Sequence, residues 1–295
     1  MEWITAKSIL QRVPKDGQHW FGIEYNMNLY KGCCHNCIYC DSRSDCYQTA
    51  DFSRVRGKAQ ALEILLQELS SKRRKGVVSL GAMSDAYNPW EEQHQLTRGA
   101  LALLARYGFG VSIETKSDLI TRDIDLLQQI TACHSAIIKL TVTTPDDELA
   151  KVIEPGAPPP SRRLAALGEL RRAGLYAGVL MMPILPWLTD APEAIDRLVR
   201  LAYEQGAQFI YPMWGVTLRD SQRWYFYEQL DQHFPGLRQR YQETFGQAYV
   251  CLSPQAEALE ALFEEACRRY GLRWRMQDII DGYRRPPEAK QLTLF

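Results

Sequence analysis

The sequence predicts an α/β protein whose parallel strands alternate with helices. Strand-like apolar runs each precede a segment in which apolar residues recur every three or four positions, the spacing of an amphipathic helix. Gly174 and Gly206 directly follow two of the helical segments, where left-handed C-caps belong. Alternation of this kind predicts parallel βαβ units. The strand patterns before residue 212 are Phe21–Met27, Val77–Gly81, Val111–Thr115, Ile137–Thr143, Tyr176–Met182 and Gln208–Tyr211.

Length and composition are those of a globular protein. The chain has 295 residues, of which 46% are hydrophobic and 24% charged, enough for one large domain with extensions. Its net charge of zero gives no global field that would attract nucleic acid. The first residues lack a signal-peptide pattern, and no apolar stretch approaches the ~18 residues of a membrane span. With eight cysteines but no disulfide framework, we expect a cytoplasmic protein without a membrane segment.

Three cysteines follow the first predicted strand in a C-x3-C-x2-C array: Cys33, Cys37 and Cys40. Thiolates are the usual ligands of iron-sulfur clusters, and a four-iron cluster ordinarily takes four of them. Three ligands leave one iron open to an outside ligand, as a catalytic zinc keeps one position open. A zinc site with His35 as fourth ligand and a set of purely structural thiols remain alternatives.

With Tyr39 as the aromatic residue before the last cysteine, the array resembles the C-x3-C-x-aromatic-C signature of the radical S-adenosylmethionine superfamily. The resemblance implies that the three cysteines hold a 4Fe-4S cluster, that its open iron binds S-adenosylmethionine, and that Tyr39 lies near the adenine. It implies an electron donor such as flavodoxin or ferredoxin, and cleavage of the cofactor to a 5'-deoxyadenosyl radical that takes hydrogen from a substrate. It also implies that the strands curve into a partial (β/α)6 TIM-like barrel.

The sequence is expected to divide into four segments. Residues 1–20 are expected to form an irregular leader, 21–212 the partial barrel, 213–285 an aromatic and basic helical extension, and 286–295 a flexible tail.

Functional residues of parallel barrels collect at the C-terminal ends of the strands. We expect Ser84 and Asp85 to face the cluster, and the ammonium of Lys116 to pair with a carboxylate there. The alternatives are that Ser84 and Asp85 cap a helix and that Glu114 neutralises Lys116. The polar segments at or beyond the strand ends are Gly81–Glu91, Glu114–Ser117, Thr141–Asp146, Glu154–Ala157 and Arg162–Leu164.

Taken in order over residues 22 to 190, these segments resemble the spore photoproduct lyase-like branch of the superfamily. The matching motifs are an [ST]-D-x-Y-x-P-x-E turn, a T-K-S strand end, a threonine-rich fourth strand and an E-P-x-A-P segment. The resemblance implies that Ser84 and Lys116 contact the methionyl part of the cofactor. Weaker candidates for cofactor contacts are Thr141, Thr143 and Arg163.

One position departs from that branch. Its lyases carry a cysteine before the cofactor-binding serine, and this cysteine returns a hydrogen atom to the product radical. Met83 stands at that place, and a thioether cannot donate this hydrogen. Direct reversal of the spore thymine dimer is therefore not expected unless Tyr87 or another donor replaces the thiol.

The extension at 213–285 is rich in arginine and aromatic residues. Arginine attracts phosphates and aromatic faces stack on unpaired bases, so the composition favours a nucleic acid with one base drawn out of the stack. The alternative is an amphipathic helical cap whose apolar residues pack on the barrel. The apolar residues of that cap would be Tyr225, Leu230, Leu259, Leu262 and Phe263.

The final residues, Gln291–Phe295, resemble the Q-L-[SD]-L-F peptide by which bacterial replication and repair proteins bind the sliding clamp, with Thr293 at the middle position. Leucine and phenylalanine are apolar anchors in that mode. Pro286 and Pro287 precede the peptide and favour an extended tail. A tail that folds back on its own domain is the alternative.

These observations predict a radical S-adenosylmethionine enzyme that takes hydrogen from a nucleic acid, in DNA repair or modification. Two other hypotheses stay open. One is a clamp-associated DNA-binding protein whose cluster is structural or redox-sensing. The other is a radical enzyme that acts on a peptide or small molecule.

Overall fold

A computed structural model describes residues 2–49 and 51–284. Its strands are β1 Glu2–Ile4, β2 Leu10–Arg12, β3 Tyr25–Met27, β4 Tyr30–Lys31, β5 Arg56–Lys58, β6 Val77–Leu80, β7 Gly110–Thr115, β8 Ala136–Thr141, β9 Ala177–Met181, β10 Ile210–Pro212, β11 Gly215–Thr217 and β12 Val250–Leu252. Its α-helices are α1 Ala61–Ser71, α2 Glu91–His94, α3 Leu96–Tyr107, α4 Ile124–Cys133, α5 Asp147–Ile153, α6 Pro160–Arg172, α7 Pro192–Glu204, α8 Asp220–His233, α9 Leu237–Phe245, α10 Ala256–Tyr270 and α11 Met276–Tyr283.

The main sheet has seven strands in the order β2-β3-β6-β7-β8-β9-β10. The last six run parallel and follow the order of the chain, as consecutive βα units require, while β2 pairs antiparallel with β3 at one edge. Over the described ranges β2 and β10 are the two ends of this sheet, so the barrel is not closed. The predicted partial (β/α)6 barrel is confirmed.

The helices cover the outside of the sheet with the faces that the periodicity predicts. In α3, for example, Leu96, Ala100 and Leu104 are buried. Gly174 and Gly206 have φ values of +80° and +74° directly after α6 and α7, which confirms both predicted left-handed helix ends. No helix in the described part of the chain is both long enough and apolar enough to cross a membrane.

The amino-terminal segment differs from the expected irregular leader. Strand β1 pairs in parallel with β5, and β2 joins the main sheet. Three-residue strands are too short to show a period, which is why the sequence pattern does not reveal them. The first barrel strand is also shorter than predicted, because Phe21 and Ile23 are buried in the loop before β3 rather than within the strand.

The last helix, α11, packs at the N-terminal end of barrel strand β3. Tyr283 of α11 donates a hydrogen bond to the Phe21 carbonyl at 2.6 Å, and Arg284 binds Glu24 at 2.7 Å. Leu259 and Phe263 of α10 are buried in the main core. This part of the extension is therefore a packed cap, as one of the two interpretations of the sequence proposed.

Candidate cofactor site

The cysteine loop leaves β4 through a turn that only glycine fits. Gly32 has a φ of +82°, and a Cβ there would lie 2.5 Å from the Arg54 carbonyl oxygen. Beyond it the Cys33 N–H donates to the Phe52 carbonyl at 2.8 Å, and the Ile38 N–H donates to the Ile153 carbonyl at 2.9 Å. These bonds fix the loop against two other segments of the protein.

The three cysteines of the array lie close together as free thiols. Cys33 and Cys37 are buried, and Cys40 lies at the edge of a cavity. Burial is the main reason that the pKa of Cys33 is raised well above its ordinary value; Asp85 and the neighbouring Cys37 and Cys40 add to the effect. Three mutually close, unbridged thiols are a donor set that fits an iron-sulfur cluster.

His35 is held by the protein through both ring nitrogens. Its Nδ1 lies 3.0 Å from the Gly156 carbonyl oxygen and its Nε2 lies 3.2 Å from Oδ2 of Asp85. Because both ring nitrogens are engaged within the protein, His35 is poorly placed to be the fourth ligand of the zinc alternative.

Asp85 connects the cysteine loop to the ends of β6 and β7. Its carboxylate accepts hydrogen bonds from the Thr115 hydroxyl at 2.6 Å, the Lys116 N–H at 2.8 Å and the Tyr87 N–H at 2.9 Å. Burial alone would raise the pKa of Asp85, but His35 and these donors hold it well below its ordinary value. The ionised carboxylate is thus an anchor for three separate segments.

A cavity of about 330 Å³ opens at the C-terminal ends of the barrel strands. It brings together four of the predicted cofactor residues. These are Tyr39, Asp85, Lys116 and Thr141. One wall is apolar and comes from β9 and the segments after β9 and β10, including Leu180, Met182, Met213 and Val216. Further polar groups of the lining are Asp41, Ser42, Glu114, Thr115 and Thr217.

Lys116 supplies a positive charge to this cavity. Its Nζ lies 5.6 Å from the centre of the Tyr39 ring, and no residue in the described ranges forms a hydrogen bond or ion pair with that ammonium. Burial alone would lower the pKa of Lys116, but Cys37 and the Glu154 carboxylate raise it above its ordinary value. Glu114 pairs instead with Lys139 at 3.4 Å, so the expectation that Glu114 neutralises Lys116 is wrong.

Glu154, which was not among the predicted site residues, lies at the centre of a buried polar network. Its carboxylate accepts hydrogen bonds from the Tyr39 hydroxyl and from the Thr143 hydroxyl, the latter at 2.7 Å, and lies 2.5 Å from the Arg163 guanidinium. Arg163 also donates to the Thr141 carbonyl at 3.1 Å. Thr143 and Arg163 therefore hold Glu154 and Tyr39 in place, and neither lines the cavity.

The Glu154 carboxylate is ionised in this network. Burial alone would raise its pKa, but Arg163, Lys116 and the two hydroxyl donors lower it to about 2. In the sequence, Glu154 stands out only through its place in the E-P-x-A-P segment. Its contact with Tyr39 could not be predicted, because the two residues are 115 positions apart.

Ser84 and Met83 line a second cavity, of about 360 Å³, and not the first. Ser84 is buried and donates to the Gly32 carbonyl directly before Cys33. Met83 is 39% exposed, and its sulfur lies 3.7 Å from the Asn28 amide nitrogen.

Tyr87 is completely buried in the core and lines neither cavity. The Asp85 carboxylate accepts the Tyr87 N–H, and this turn carries the ring away from the strand ends. The expectation that Tyr87 donates hydrogen at the cavity is not supported.

Two arginines at the start of α8 are engaged within the protein. Arg223 donates to the carbonyls of Leu218, Gly246 and Ala248 at 2.8, 3.0 and 2.7 Å. Arg219 binds Asp41 at 2.7 Å. Other arginines of the extension are exposed: Arg268, Arg269, Arg273, Arg275 and Arg284. Arg285 and the tail at 286–295, including Gln291–Phe295, lie outside the described residues.

Comparison with known proteins defines the family. The model of the radical SAM superfamily matches residues 27–201. An uncharacterized protein of Mycobacterium tuberculosis is 33% identical over 250 residues, which cover 82% of this chain and 72% of that protein. The chain belongs to the radical S-adenosylmethionine superfamily. It is an enzyme of that class, and the cofactors of the class are a 4Fe-4S cluster and S-adenosylmethionine.

Solved structures show the same fold at low sequence identity. Spore photoproduct lyase complexed with dinucleoside spore photoproduct superimposes with a TM-score of 0.66 at 14% identity, covering 91% of this chain and 79% of that one. The radical S-adenosylmethionine methyltransferase TsrM of Kitasatospora setae, with tryptophan substrate and a cofactor analogue bound, gives a TM-score of 0.57 at 13% identity. That match covers 87% of this chain and 55% of the methyltransferase.

Proposed function

We propose that Cys33, Cys37 and Cys40 hold the cluster of this enzyme and that its substrate is a nucleic acid. The observation that carries the proposal is three neighbouring, unbridged thiols, two of them buried, at the C-terminal ends of the barrel strands, together with the Lys116 ammonium, which has no hydrogen-bond or ion-pair partner in the described ranges. Together the two cofactors supply a carbon radical that removes a hydrogen atom from the substrate.

The thiols must give up protons to bind metal. Burial raises the pKa of Cys37 to about 12, although Lys116 acts in the opposite direction. Without metal this thiol stays protonated at neutral pH, so assembly of the cluster releases its proton. The positive charge of Lys116 then partly compensates the negative thiolates in a site with little water.

Lys116 and Tyr39 are the proposed contacts to S-adenosylmethionine. The Lys116 ammonium suits the carboxylate of the methionyl group, because a charge-assisted hydrogen bond of this kind is strong in a buried site. The Tyr39 ring offers a flat face for the adenine, and Glu154 fixes that ring through its hydroxyl. Ser84, Asp85, Thr143 and Arg163 are proposed to position these groups.

Nucleic acid is the proposed substrate class for two reasons. The fold is that of spore photoproduct lyase, whose structure holds a dinucleoside photoproduct. The peptide Gln291–Phe295 resembles clamp-binding sequences, which suggests work in DNA repair or modification in the cytoplasm. A flavodoxin or ferredoxin would supply the electron. The tryptophan-bound methyltransferase, which shares the fold, is the reason to keep a small-molecule substrate as the second candidate.

The test is anaerobic reconstitution with iron and sulfide, followed by dithionite and S-adenosylmethionine. Wild-type protein is expected to release 5'-deoxyadenosine, and Cys37→Ala is expected to release none. The exposed Cys133, outside the array, provides the matched control Cys133→Ala, which should behave as wild type. Reconstituted wild-type protein that releases no 5'-deoxyadenosine would contradict the enzyme assignment of these residues.

The substrate class is tested with oligonucleotides deuterated in the sugar or base. Deuterium that appears in 5'-deoxyadenosine supports a nucleic-acid substrate. If tryptophan or short peptides transfer deuterium and oligonucleotides do not, the second candidate replaces it. Deletion of residues 291–295 should abolish binding to a purified sliding clamp and leave 5'-deoxyadenosine release unchanged.

A further inference from the structure

The second cavity lies beside the cysteine loop, next to the first. Gly32 and Ser84 form part of its wall, and Ser42 lines both cavities. The remaining walls come from residues 4–11 and from the small sheet β1-β5-β4. The two cavities therefore adjoin at Ser42.

Three lysines line this second cavity: Lys7, Lys31 and Lys58. Two of them stand on the small sheet, where Lys31 pairs in register with Arg56. Because side chains alternate along a strand, Lys58, two residues after Arg56, points from the same face as Lys31. Neighbouring strands thus direct two ammonium groups into one space.

The two lysines differ in how they are held. Lys31 donates to the Gln48 carbonyl at 2.9 Å, which orients its ammonium and leaves its charge uncompensated. Lys58 is half-buried, and over residues 2–49 and 51–284 no hydrogen bond or ion pair within 4.0 Å involves its ammonium. Burial lowers the pKa of Lys58, the nearby Lys31 lowers it further, and Glu68 acts in the opposite direction. A half-buried ammonium without a partner is a group that an anion would stabilise.

Negative charge in the neighbourhood is already engaged. None of the described residues that line the cavity is an aspartate or glutamate. Glu68, whose charge acts on the Lys58 ammonium, already accepts hydrogen bonds from the Ser8 hydroxyl at 2.6 Å and from the Leu10 N–H at 2.8 Å. The other polar lining groups are neutral and can hydrogen-bond to an anion: Thr5, Gln11, Asn28 and Thr49.

We propose that the second cavity binds a backbone phosphate of the nucleic-acid substrate, with Lys31 and Lys58 as the main contacts. Phosphate contacts position a nucleic acid without reading its sequence, and a position next to the first cavity would fix which nucleotide enters it. That the anion belongs to a nucleic acid rests on the proposed function, whereas the anion site itself does not.

The test measures binding of a labelled single-stranded oligonucleotide by fluorescence anisotropy at several salt concentrations. The variant Lys31→Gln/Lys58→Gln is compared with Lys15→Gln/Lys72→Gln, which removes two lysines elsewhere on the surface. The proposal predicts that the first variant binds on the order of tenfold more weakly and that its salt slope falls by roughly 0.7, the contribution of one neutralised phosphate of a single strand. The control pair should change neither quantity by a comparable amount.

A neutral methylphosphonate linkage separates this site from general charge effects. Scanned along the oligonucleotide, it should weaken wild-type binding at one linkage and have no further effect there in Lys31→Gln/Lys58→Gln. Lys31→Arg/Lys58→Arg keeps the charges and should restore binding, which covers the possibility that the glutamine variant is misfolded. Equal methylphosphonate effects in wild type and the glutamine variant would overturn the proposal.

The two proposals fail in different ways. If wild-type protein binds the oligonucleotide and the lysine variants match it, the phosphate site is refuted and the nucleic-acid substrate stands. If wild-type protein binds no oligonucleotide but inorganic phosphate still protects Lys58 from amine acylation, the anion site stands and its nucleic-acid assignment falls. Absence of both effects refutes the site altogether.

Discussion

Glu154 and Arg163 form an ion pair in the interior of the protein, with 2.5 Å between a carboxylate oxygen and a guanidinium nitrogen and almost no exposure of either side chain. The pair supports the Tyr39 hydroxyl, and Tyr39 is the residue directly before Cys40. The ion pair between the end of α5 and α6 thus helps to fix the position of the Tyr39 ring at the cofactor site.

Replacing Glu154 by glutamine should destabilise the protein strongly. Glu154→Gln keeps the shape but leaves the Arg163 guanidinium buried without a counterion, which typically costs about 3–5 kcal/mol. Chemical denaturation measures the free energy of unfolding. The control is Glu204→Gln, which breaks the exposed Arg200–Glu204 pair at 4.0 Å and should cost less than about 1 kcal/mol. Similar losses in both variants would contradict the role assigned to the buried pair.

The same ion pair predicts a pH dependence of stability. The pKa of Glu154 falls from 4.5 to about 2 on folding, so between these values the unfolded chain binds more protons. The stabilisation is complete above pH 4.5 and is lost as the pH falls towards 2; it is on the order of 3 kcal/mol by the usual conversion of pKa shifts. The measured gap between wild type and Glu154→Gln should therefore narrow across this range. A gap that does not depend on pH would show that Glu154 is not ionised in the folded protein.

Lys116→Met should weaken S-adenosylmethionine binding and change the stability of the fold only a little. The substitution removes an ammonium that has no hydrogen-bond or ion-pair partner within the described residues, so the free energy of unfolding should fall slightly, through loss of the longer-range attraction to Glu154. Loss of one charge-assisted hydrogen bond costs roughly 1.5–3 kcal/mol, or about tenfold to a hundredfold in the dissociation constant. Equilibrium dialysis of the anaerobically reconstituted protein measures this, with the exposed Lys15→Met as control. Unchanged affinity together with markedly lower stability would make Lys116 a purely structural residue.

Arg223→Ala should destabilise the carboxyl-terminal extension. Its guanidinium donates to three backbone carbonyls, which would be left without this donor, and the expected cost is at least about 2 kcal/mol. Arg197→Ala, an exposed arginine on α7, should change the free energy of unfolding by less than about 0.5 kcal/mol. If Arg223→Ala instead keeps its stability and loses oligonucleotide binding, the arginine contacts substrate and does not hold the cap.

The sequence predicts the barrel well because its parallel strands are buried on both faces. Continuous apolar runs such as Val77–Leu80 and helices with one apolar face leave few other packings. Lys116 and Asp85 could be predicted for a related reason. Lys116 directly follows β7 and Asp85 lies in the loop after β6, so their place near the strand ends is fixed by topology rather than by side-chain detail.

The rest of the site depends on contacts that no local pattern reveals. Glu154 meets Tyr39 across 115 positions, and nothing in their spacing indicates it. Tyr87 was considered as a hydrogen donor in place of the missing thiol, but its ring is buried in the core, and the direction of a side chain within a tight turn cannot be read from the sequence pattern. The composition of the extension predicts that its arginines contact phosphates. Arg223 instead binds backbone carbonyls, and these come together only in the folded extension.

Cys33, Cys37 and Cys40 are proposed to hold a cluster that would leave one iron open to S-adenosylmethionine. The most direct measurement is electron paramagnetic resonance of the reconstituted, dithionite-reduced protein with and without S-adenosylmethionine, supported by iron and sulfide analysis. We expect wild-type protein to give the signal of a reduced 4Fe-4S cluster, and this signal to change on addition of S-adenosylmethionine. The variant Cys33→Ala/Cys37→Ala/Cys40→Ala should give no such signal. An iron-free protein, or a cluster signal that S-adenosylmethionine leaves unchanged, would contradict it.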